Sequence, residues 1–384
     1  MPAADPRYRR SPHIVSYWSA GRLLFHNFAT GGRVAGNALT IGLLDYFDTW
    51  KPLAPLLAHS SLPHSEVTAA LRTLVDSSIV QQSDRSIPGV EEGMDEWAEW
   101  NPAAGFFHFS TKDLPFEPGE AAALPFLSER LRTQPIPPIN KAYADRPVIA
   151  LPRGRRRTAL SRVLLRRRTW RRFGARPLPL RSLGALMHLT FGAHSLMDLK
   201  AGGHAMLRTS PSAGARNPIE AYVVVRRVAG LPPGIYHYAP LTHALAHLSG
   251  SVAGTIERHL PGQPWYGNAS ILVLLTAVFA RTSWKYPSAR AYRDLLLEAG
   301  HFCQTFCLVA TDLGLAPFCT GALADSLIEH DLGVDGVSEG VLYACGAGMR
   351  PPGQSWAPLP DTSETIDLVK LPPVRRKHSA RAKR

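Results

Sequence analysis

Two long apolar runs in the second half of the chain place the tightest limits on its fold. IEAYVVVRRV (219–228) is rich in valine, and ASILVLLTAVFA (269–280) is apolar almost throughout. Continuous apolar character fits a strand that is covered on both faces. A third stretch, AYRDLLLEAGHFCQTFCLVATDLGL (291–315), predicts a long buried helix. Strands interleaved with long helices indicate a layered domain of the α+β or α/β class.

The composition is that of a globular protein with excess positive charge. The chain has 384 residues, a net charge of +13 and 45% hydrophobic residues, enough for two domains and a full core. Arginine is abundant between Asp145 and Asp198, where no acidic residue occurs, and VRRKHSARAKR (374–384) is a second basic cluster. The charge alone would suit nucleic acid, but no nucleic-acid motif accompanies it, so we expect no such partner.

The sequence also limits where the protein works. It has no run of about 18 apolar residues, so we expect no membrane span. The first residues lack the apolar core of a secretory signal. The cysteines form no C-x-x-C pair, which favours reduced thiols in a cytoplasmic protein without a metal site. The four cysteines are Cys303, Cys307, Cys319 and Cys345.

Residues 13–112 predict a small winged-helix-like domain. NALTIGLLDYFDTW (37–50) has apolar residues at helical spacing, and HSEVTAALRTLVDSSIVQQ (64–82) indicates a helix followed by a strand. A helical subdomain that packs on the main core is the alternative. The aromatic segment WAEWNPAAGFFHFSTKD (97–113) is expected to pack between this unit and the rest.

Three further segments complete the predicted organisation. Residues 113–152 are dense in proline, which favours an extended connector over regular structure. Residues 153–360 form the larger domain, and 361–384 form a basic, solvated tail.

The first stretch with chemical potential is LLRRRTWRRF (164–173). Guanidinium groups match phosphate oxygens, and a nearby hydroxyl adds a donor. A nucleic-acid patch and a solvated basic helix face are the alternatives. The side chains concerned are Arg167, Arg168, Thr169 and Arg171.

The second stretch is RTSPSAGARNPIEAYVVV (208–225), in which small residues precede a strand. Such a segment lets a flat ligand approach the backbone closely. Ser212 and Asn217 could bond heteroatoms on a ring edge. An ordinary tight turn is the alternative.

The third stretch is CGAGMRP (345–351), expected just after the last strand. Gly346 and Gly348 would free backbone N–H groups for an anion, and Arg350 would add charge. The G-x-G pattern lacks the rest of a dinucleotide-binding fingerprint.

Together and in this order, the three stretches resemble the nitroreductase-like flavoproteins, and among these the SagB-type dehydrogenases, which include azoline oxidases of thiazole- and oxazole-modified peptides. The resemblance covers about 155–350 and includes GIYHY, the long helix and LYACGAG. It implies an α+β, nitroreductase-like FMN-binding layered domain behind the winged-helix-like unit. It also implies a homodimer in which both subunits contribute to each flavin site.

The resemblance assigns FMN-binding positions one by one. The arginine segment would hold the phosphate and ring, 211–217 would line the isoalloxazine edge, the loop after the long helix would lie near flavin N5, and the glycines would lie near the phosphate. Many nitroreductases carry Asn four residues after the loop proline, where this chain has Ala215. The positions are Arg167, Arg168, Thr169, Arg171, Pro211, Ser212, Ala213, Gly214, Ala215, Asn217, Thr320, Gly321, Gly346, Gly348 and Arg350.

Azoline oxidases also resemble this chain in having a Lys-Tyr pair just before the long helix, here Lys285-Tyr286. Making an azole removes a proton from one ring carbon and a hydride from its neighbour. Flavin N5 would take the hydride and Tyr286 the proton. A phenol ordinarily has a pKa of about 10, and an adjacent ammonium favours the phenolate. Strand neighbours point in opposite directions, so we expect an irregular backbone here.

Three functions stay open on the sequence. The first is FMN-dependent oxidation of thiazoline or oxazoline rings in a ribosomally made peptide, beside a cyclodehydratase, with the N-terminal unit gripping a leader peptide or partner. The second is a flavin oxidoreductase with another substrate. The third is a winged-helix regulator that senses a ligand, which the near-neutral stretch 60–80 disfavours because it offers little charge to phosphate.

Overall fold

The N-terminal part of the chain folds into three helices and two three-stranded sheets. The computed structural model describes residues 5–114, 120–134, 151, 158–199, 203–250 and 254–353. The first elements are β1 (Arg7–Arg10), β2 (Ile14–Ser19), β3 (Arg22–Asn27), β4 (Arg33–Ala35), α1 (Ala38–Tyr46), β5 (Lys51–Pro52), α2 (Ala54–His59), α3 (His64–Asp76) and β6 (Val80–Gln82).

These elements form the part of the chain for which a winged-helix-like unit is predicted. Strand β1 lies between β5 and β6 and is antiparallel to both, while β2, β3 and β4 form a separate meander. The apolar faces of α1 and α3 meet in a core that includes Leu43, Phe47 and Leu71. The helices predicted from the spacing at 37–50 and 64–82 are confirmed, as is the strand after the second helix.

An aromatic segment joins this unit to the larger domain. It comprises α4 (Gly89–Glu92), a 3₁₀ helix (Gly93–Trp100) and α5 (Asn101–Ser110). Trp97 and Trp100 are buried, and their rings lie 4.7 and 6.2 Å from the ring of Phe279 in the larger domain. The prediction that these aromatics pack between the two parts is confirmed.

The proline-rich connector contains a helix that its composition concealed. Helix α6 (Glu120–Thr133) forms in EAAALPFLSERLRT, so an extended conformation was the wrong prediction for this stretch. Pro125 removes one backbone hydrogen bond, but alanine, leucine, glutamate and arginine favour the helix on either side of it. Most other residues of the predicted connector, and the predicted basic tail, lie outside the described residues.

The larger domain is built on one antiparallel sheet. Its strands lie in the order β13-β12-β10-β14-β16-β15, with antiparallel pairing at every step. Its elements are α7 (Ala159–Arg166), β7 (Leu178–Pro179), α8 (Leu180–Phe191), β8 (Ser195–Leu199), β9 (Gly203–Leu207), β10 (Ile219–Val225), β11 (Val228–Ala229), β12 (Gly234–Ala239), β13 (Ala244–Ser249), α9 (Thr255–His259), β14 (Ile271–Val278), α10 (Phe279–Ser283), α11 (Tyr292–Asp312), β15 (Leu315–Thr320), α12 (Asp325–Leu332) and β16 (Glu339–Met349).

Helices cover both faces of this sheet. The two valine- and leucine-rich runs form β10 and β14 at its centre, where their side chains are almost fully buried. Helix α11 packs with α8 on one face, where the rings of Phe191 and Phe302 lie 5.3 Å apart. Helices α9 and α12 pack on the other face. The prediction of a layered α+β domain is confirmed. Among the described helices, none has the length and apolar character needed to cross a membrane.

Candidate active site

The loop between β9 and β10 has a constrained backbone. Gly214, Ala215 and Asn217 have φ of +57°, +55° and +49°, in the left-handed region that side chains disfavour. Gly214 is needed for a second reason. A Cβ atom there would lie 2.5 Å from the Tyr286 hydroxyl and 2.6 Å from Lys285 Nζ. The groups that approach the backbone here belong to the chain itself, and the approach of a flat ligand to this segment stays a prediction.

The side chains of Lys285 and Tyr286 converge on the same point above Gly214. Both backbone N–H groups donate to the carbonyl oxygen of Thr282, at 3.1 and 3.0 Å, so the chain turns after α10 and does not continue as a strand. The irregular backbone expected at this pair is confirmed. Lys285 Nζ and the Tyr286 hydroxyl oxygen lie no more than about 5 Å apart, because each is close to the same point above Gly214.

Two polar residues of the loop are used to build it. Asn217 is 3% exposed, and its Nδ2 donates to the carbonyls of Met206 and Ala215, each at 3.0 Å. The backbone N–H of Asn217 donates to Ser212 Oγ at 2.9 Å. The assignment of Asn217 to a flavin ring edge stays a prediction, with its Nδ2 donors already engaged in the loop. Its amide holds a left-handed loop together, and the hydroxyl of Ser212 is also engaged. Pro211, Ala213 and Ala215 present backbone and small side chains.

The arginine stretch follows α7 and runs beside the ends of β15 and β16. Trp170 N donates to the carbonyl of Pro317 at 2.9 Å, and Gly174 N donates to that of Met349 at 2.8 Å. Arg168 is folded back onto the carbonyls of Leu165 and Arg167. These bonds fix the backbone on which Arg167, Thr169 and Arg171 are carried.

The guanidinium groups of this stretch lack acidic partners. Within the described residues, no carboxylate lies at ion-pair distance from Arg167, Arg168 or Arg171. The Nε atom of Arg171 is buried and has no hydrogen-bond partner there. A buried, unpaired cationic donor is costly unless an anion completes it. The donor set therefore fits a phosphate group.

The two glycines near the end of the chain's last described strand serve packing. They lie within β16, which runs on to Met349, so this stretch does not follow the strand as predicted. A Cβ atom at Gly348 would lie 2.8 Å from the ring of Phe173, and one at Gly346 would collide with Phe318. Gly346 pairs with Leu272 of β14 and Phe318 of β15, whereas Gly348 pairs with Ala316 of β15. The assignment of the two glycines to an anion stays a prediction.

Arg350 is partly engaged as well. Its Nε donates to the carbonyl of Leu315 at 2.9 Å and its Nη2 to that of Thr311 at 3.1 Å, near the last turn of α11. Its guanidinium carbon lies 5.6 Å from the ring centroid of Trp170. Arg350 therefore joins the arginine stretch to α11, and its charge stays in that region.

Thr320 and Gly321 end β15 close to the same region. Thr320 Oγ1 donates to Gln263 Oε1 at 2.6 Å, and Gly321 is exposed just beyond the strand. The neighbouring Cys319 accepts a hydrogen bond from the Cys307 thiol, which, with the Arg167 charge, holds the pKa of Cys319 below its ordinary value. Arg167 and the end of β15 are thus brought together.

The predicted site residues fall into two groups within one chain. Lys285, Tyr286 and the 211–217 loop lie near the start of α11, which begins at Tyr292. Arg350 lies near its last turn, where its Nη2 bonds the carbonyl of Thr311. Arg167 lies close enough to Cys307 and Cys319 for its charge to act on both thiols. Ser210, just before the loop, bonds Thr305 of the same helix at 2.8 Å.

Several residues around the loop were missed by sequence reasoning. Glu298 on α11 is 2% exposed beneath Ser212, and Arg281 on α10 bonds the loop carbonyl of Asn217. Trp100 Nε1 donates to the carbonyl of Tyr286 at 3.1 Å. Glu298 stands in a predicted buried helix, and a carboxylate on such a face was a usable signal. Arg281 and Trp100 carried none, because their partners are distant in sequence.

Comparison with known proteins agrees with this fold. The model of the nitroreductase family matches residues 164–349. A candidate nitroreductase of Methanocaldococcus jannaschii, MJ1384, is 34% identical over 174 residues, which are 45% of this chain and 83% of that protein.

Two peptide-processing proteins are also similar. The trifolitoxin-processing protein TfxB of Rhizobium leguminosarum bv. trifolii is 31% identical over 38% of this chain, and the microcin B17-processing protein McbC of Escherichia coli is 28% identical over 33%. The matched parts span 41% and 49% of these two proteins.

The chain belongs to the nitroreductase family. It is accordingly an FMN-dependent oxidoreductase, with FMN as the cofactor of the family. The residues present fit that cofactor. The arginines without acidic partners in the described part of the chain, with the buried Nε of Arg171, suit its phosphate. The family assignment favours the two enzyme hypotheses over a regulator.

Proposed function

We propose that this protein oxidises azoline rings, thiazoline or oxazoline, to azoles in a ribosomally made peptide. The observation that carries the proposal is the meeting of Lys285 Nζ and the Tyr286 hydroxyl above Gly214. The similarity to TfxB and McbC, which are named for trifolitoxin and microcin B17 processing, supports a peptide as the substrate.

The residues have separate parts in this reaction. Bound FMN supplies the two-electron acceptor that the oxidation requires. Tyr286 accepts the proton from the ring carbon, and the Lys285 ammonium stabilises the phenolate that does so. Lys285 Nζ also donates to the carbonyl of Gly214 at 3.4 Å, which orients it over the loop. Gly214 leaves room for the ends of Lys285 and Tyr286, because a Cβ atom there would collide with both.

We further propose that the working unit is a homodimer with composite sites. The arginine group and the Lys285-Tyr286 group lie on separate segments of the chain, before and after the central strands. A second copy can set its own Lys285-Tyr286 group beside the arginines of the first. Helix α7, next to the arginines, exposes three leucines that a partner would cover. They are Leu160, Leu164 and Leu165.

The proposed setting is a cytoplasmic complex. The peptide would carry a leader that the N-terminal unit or a partner holds, and a cyclodehydratase would supply the azoline, because that ring must be closed before it can be oxidised. Since this chain spans less than half of TfxB and McbC, partners and substrate are proposals of ours.

The test is an oxidation assay on the purified, FMN-loaded protein. A synthetic peptide with one thiazoline or oxazoline ring is incubated in air, and mass spectrometry follows the loss of two hydrogen atoms. We expect Tyr286→Phe to reduce the rate by about a hundredfold or more, the size typical of a lost general base. Lys285→Met should reduce it less.

A matched control is available in the N-terminal unit. Tyr46 has Lys51 Nζ 5.2 Å from its ring centroid, so Tyr46→Phe also alters a lysine-tyrosine pair. It should leave the rate and FMN content unchanged. Equal rates for Tyr286→Phe and Tyr46→Phe would refute the assignment of Tyr286. Failure of the wild-type holoenzyme to oxidise either ring would refute the substrate class.

A further inference from the structure

The loop that faces Lys285 and Tyr286 is held in a conformation it would not adopt alone. Two of its three left-handed residues, Ala215 and Asn217, carry side chains. Such a residue is strained and persists only where the surroundings fix it. The bonds from Asn217 to Ser212, Met206 and Ala215 fix the shape of the loop. They do not fix its position relative to Tyr286.

Arg281 is central to the links between the two segments, to which Arg216 and the bond from Lys285 to the carbonyl of Gly214 also contribute. Arg281 Nη1 donates to the loop carbonyl of Asn217 at 2.9 Å and to Glu220 Oε1 at 2.5 Å. In the other direction, Arg216 Nε in the loop donates to the carbonyl of Arg281 at 2.8 Å. Arg281 lies in α10, and Lys285 and Tyr286 are bonded to the end of that helix through Thr282. Movement of Arg281 would therefore move the pair.

Glu220 ties the link to the central sheet. It lies on β10, its side chain is 11% exposed, and its Oε2 is 2.8 Å from His237 Nε2 on β12. Burial raises the pKa of Glu220, but the hydrogen bond from His237 and the Arg281 charge outweigh burial and hold the pKa below its ordinary value. Glu220 is therefore charged at neutral pH and remains a partner for Arg281.

We propose that Arg281 and Glu220 form a brace that keeps Lys285 and Tyr286 in register with the loop at Gly214. Both are positioning residues, because they contact neither group that would face the substrate. This inference rests on the proposed function for its effect on turnover. The brace itself concerns how firmly the loop and the Lys285-Tyr286 segment are held together.

The chain offers a closely matched control. Arg226 Nη1 also bridges a carboxylate, Glu257 Oε1 at 2.8 Å, and a carbonyl, that of Gly267. The side chains of Arg226 and Arg281 are each 36% exposed. Arg226→Gln removes the same chemical groups at a place remote from the loop.

Hydrogen exchange tests the brace without any substrate. In Arg281→Gln and Glu220→Gln we expect faster amide exchange in both 212–217 and 284–287, at equal FMN content, whereas Arg226→Gln should match the wild type. Arg281→Lys keeps the charge and one donor, so it should restore part of the protection. Exchange in Arg281→Gln equal to that in Arg226→Gln would overturn the brace.

Kinetics then tests its consequence. We expect kcat for azoline oxidation to fall tenfold or more in Arg281→Gln, with little change in KM, and Arg281→Gln/Glu220→Gln to be no slower than the slower single variant. An unchanged kcat would also overturn the proposal. If the wild-type protein oxidises no azoline, the exchange result still decides whether the brace exists, so the two failures are distinguishable.

Discussion

At the scale of single residues, burial sets the behaviour of Glu298 more than its partners do. Burial raises the pKa of this carboxyl to about 7, although Ser212 and Arg208 favour its charged form and Asp294 opposes it. Its buried Oε1 atom has no hydrogen-bond partner among the residues that the structure describes. The folded protein therefore retains a proton here that the unfolded chain releases.

Glu298 should make stability fall as pH rises. Its folded pKa lies above the ordinary value of 4.5, so its contribution is complete below that value and is lost as pH rises through about 7. The shift corresponds to roughly 3 kcal/mol. Urea denaturation at pH 5 and pH 8 should show a smaller loss for Glu298→Gln than for the wild type. Glu99→Gln, at an exposed position, is the control, and equal losses in both variants would refute the prediction.

Cys319 should be the first cysteine to react. It is half-buried, whereas Cys303, Cys307 and Cys345 are buried, and the Cys307 hydrogen bond and the Arg167 charge lower its pKa. Thiolates are the reactive form. Iodoacetamide at pH 7 should label Cys319 before the others, and FMN should slow the labelling because its phosphate would lie at Arg167. Earlier labelling of a buried cysteine would contradict this.

Residue types could be predicted better than their tasks. Lys285 and Tyr286 stood out as a pair, and the structure brings their ends together. The part that Asn217 has in holding the loop could not be predicted, because the sequence does not show that this residue has a positive φ. The packing of Gly346 and Gly348 against the rings of Phe318 and Phe173 could not be predicted either, because those rings lie far away along the chain.

At the scale of elements, the 3₁₀ helix and α5 fasten the N-terminal part to the site. Helices α3 and α11 could be predicted because their own apolar residues recur at helical spacing and form the buried face. Helix α6 could not be predicted in this way. The proline content was judged over the whole of 113–152, whereas the segment that forms α6 contains only Pro125. The division at 112 and 113 stays a prediction.

Trp100 should matter to both stability and turnover. It is fully buried, and its indole N–H donates to the carbonyl of Tyr286. Trp100→Phe keeps an aromatic ring and should cost about 1 kcal/mol, the usual value of one hydrogen bond, and lower kcat. Trp100→Ala should cost about 3–5 kcal/mol. Chemical denaturation measures both. Trp18→Phe, at a side chain that is 73% exposed, should change neither quantity.

At the scale of the whole molecule, the composite site predicts complementation between inactive variants. Arg171→Ala removes the arginine group's buried donor, and Tyr286→Phe removes the base. In a mixed dimer one of the two sites receives both intact groups. Dissociation and reassociation of an equal mixture should restore about a quarter of wild-type activity. Light scattering should give twice the 42.0 kDa chain mass. No recovery in a verified mixed dimer would show that each site lies within one chain.

The tryptophan anchors also govern how the two parts of the chain can be exchanged between proteins. Trp97 Nε1 donates to the carbonyl of Val337 and Trp100 Nε1 to that of Tyr286, so the segment from Gly89 onward is built into the larger domain. A chimera that replaces the N-terminal unit should therefore cross over between Gln82 and Gly89. A junction at residue 113 would replace Trp100 by a residue of the other protein against the backbone of Tyr286. Such a chimera would change the N-terminal unit and the surroundings of the proposed base at the same time.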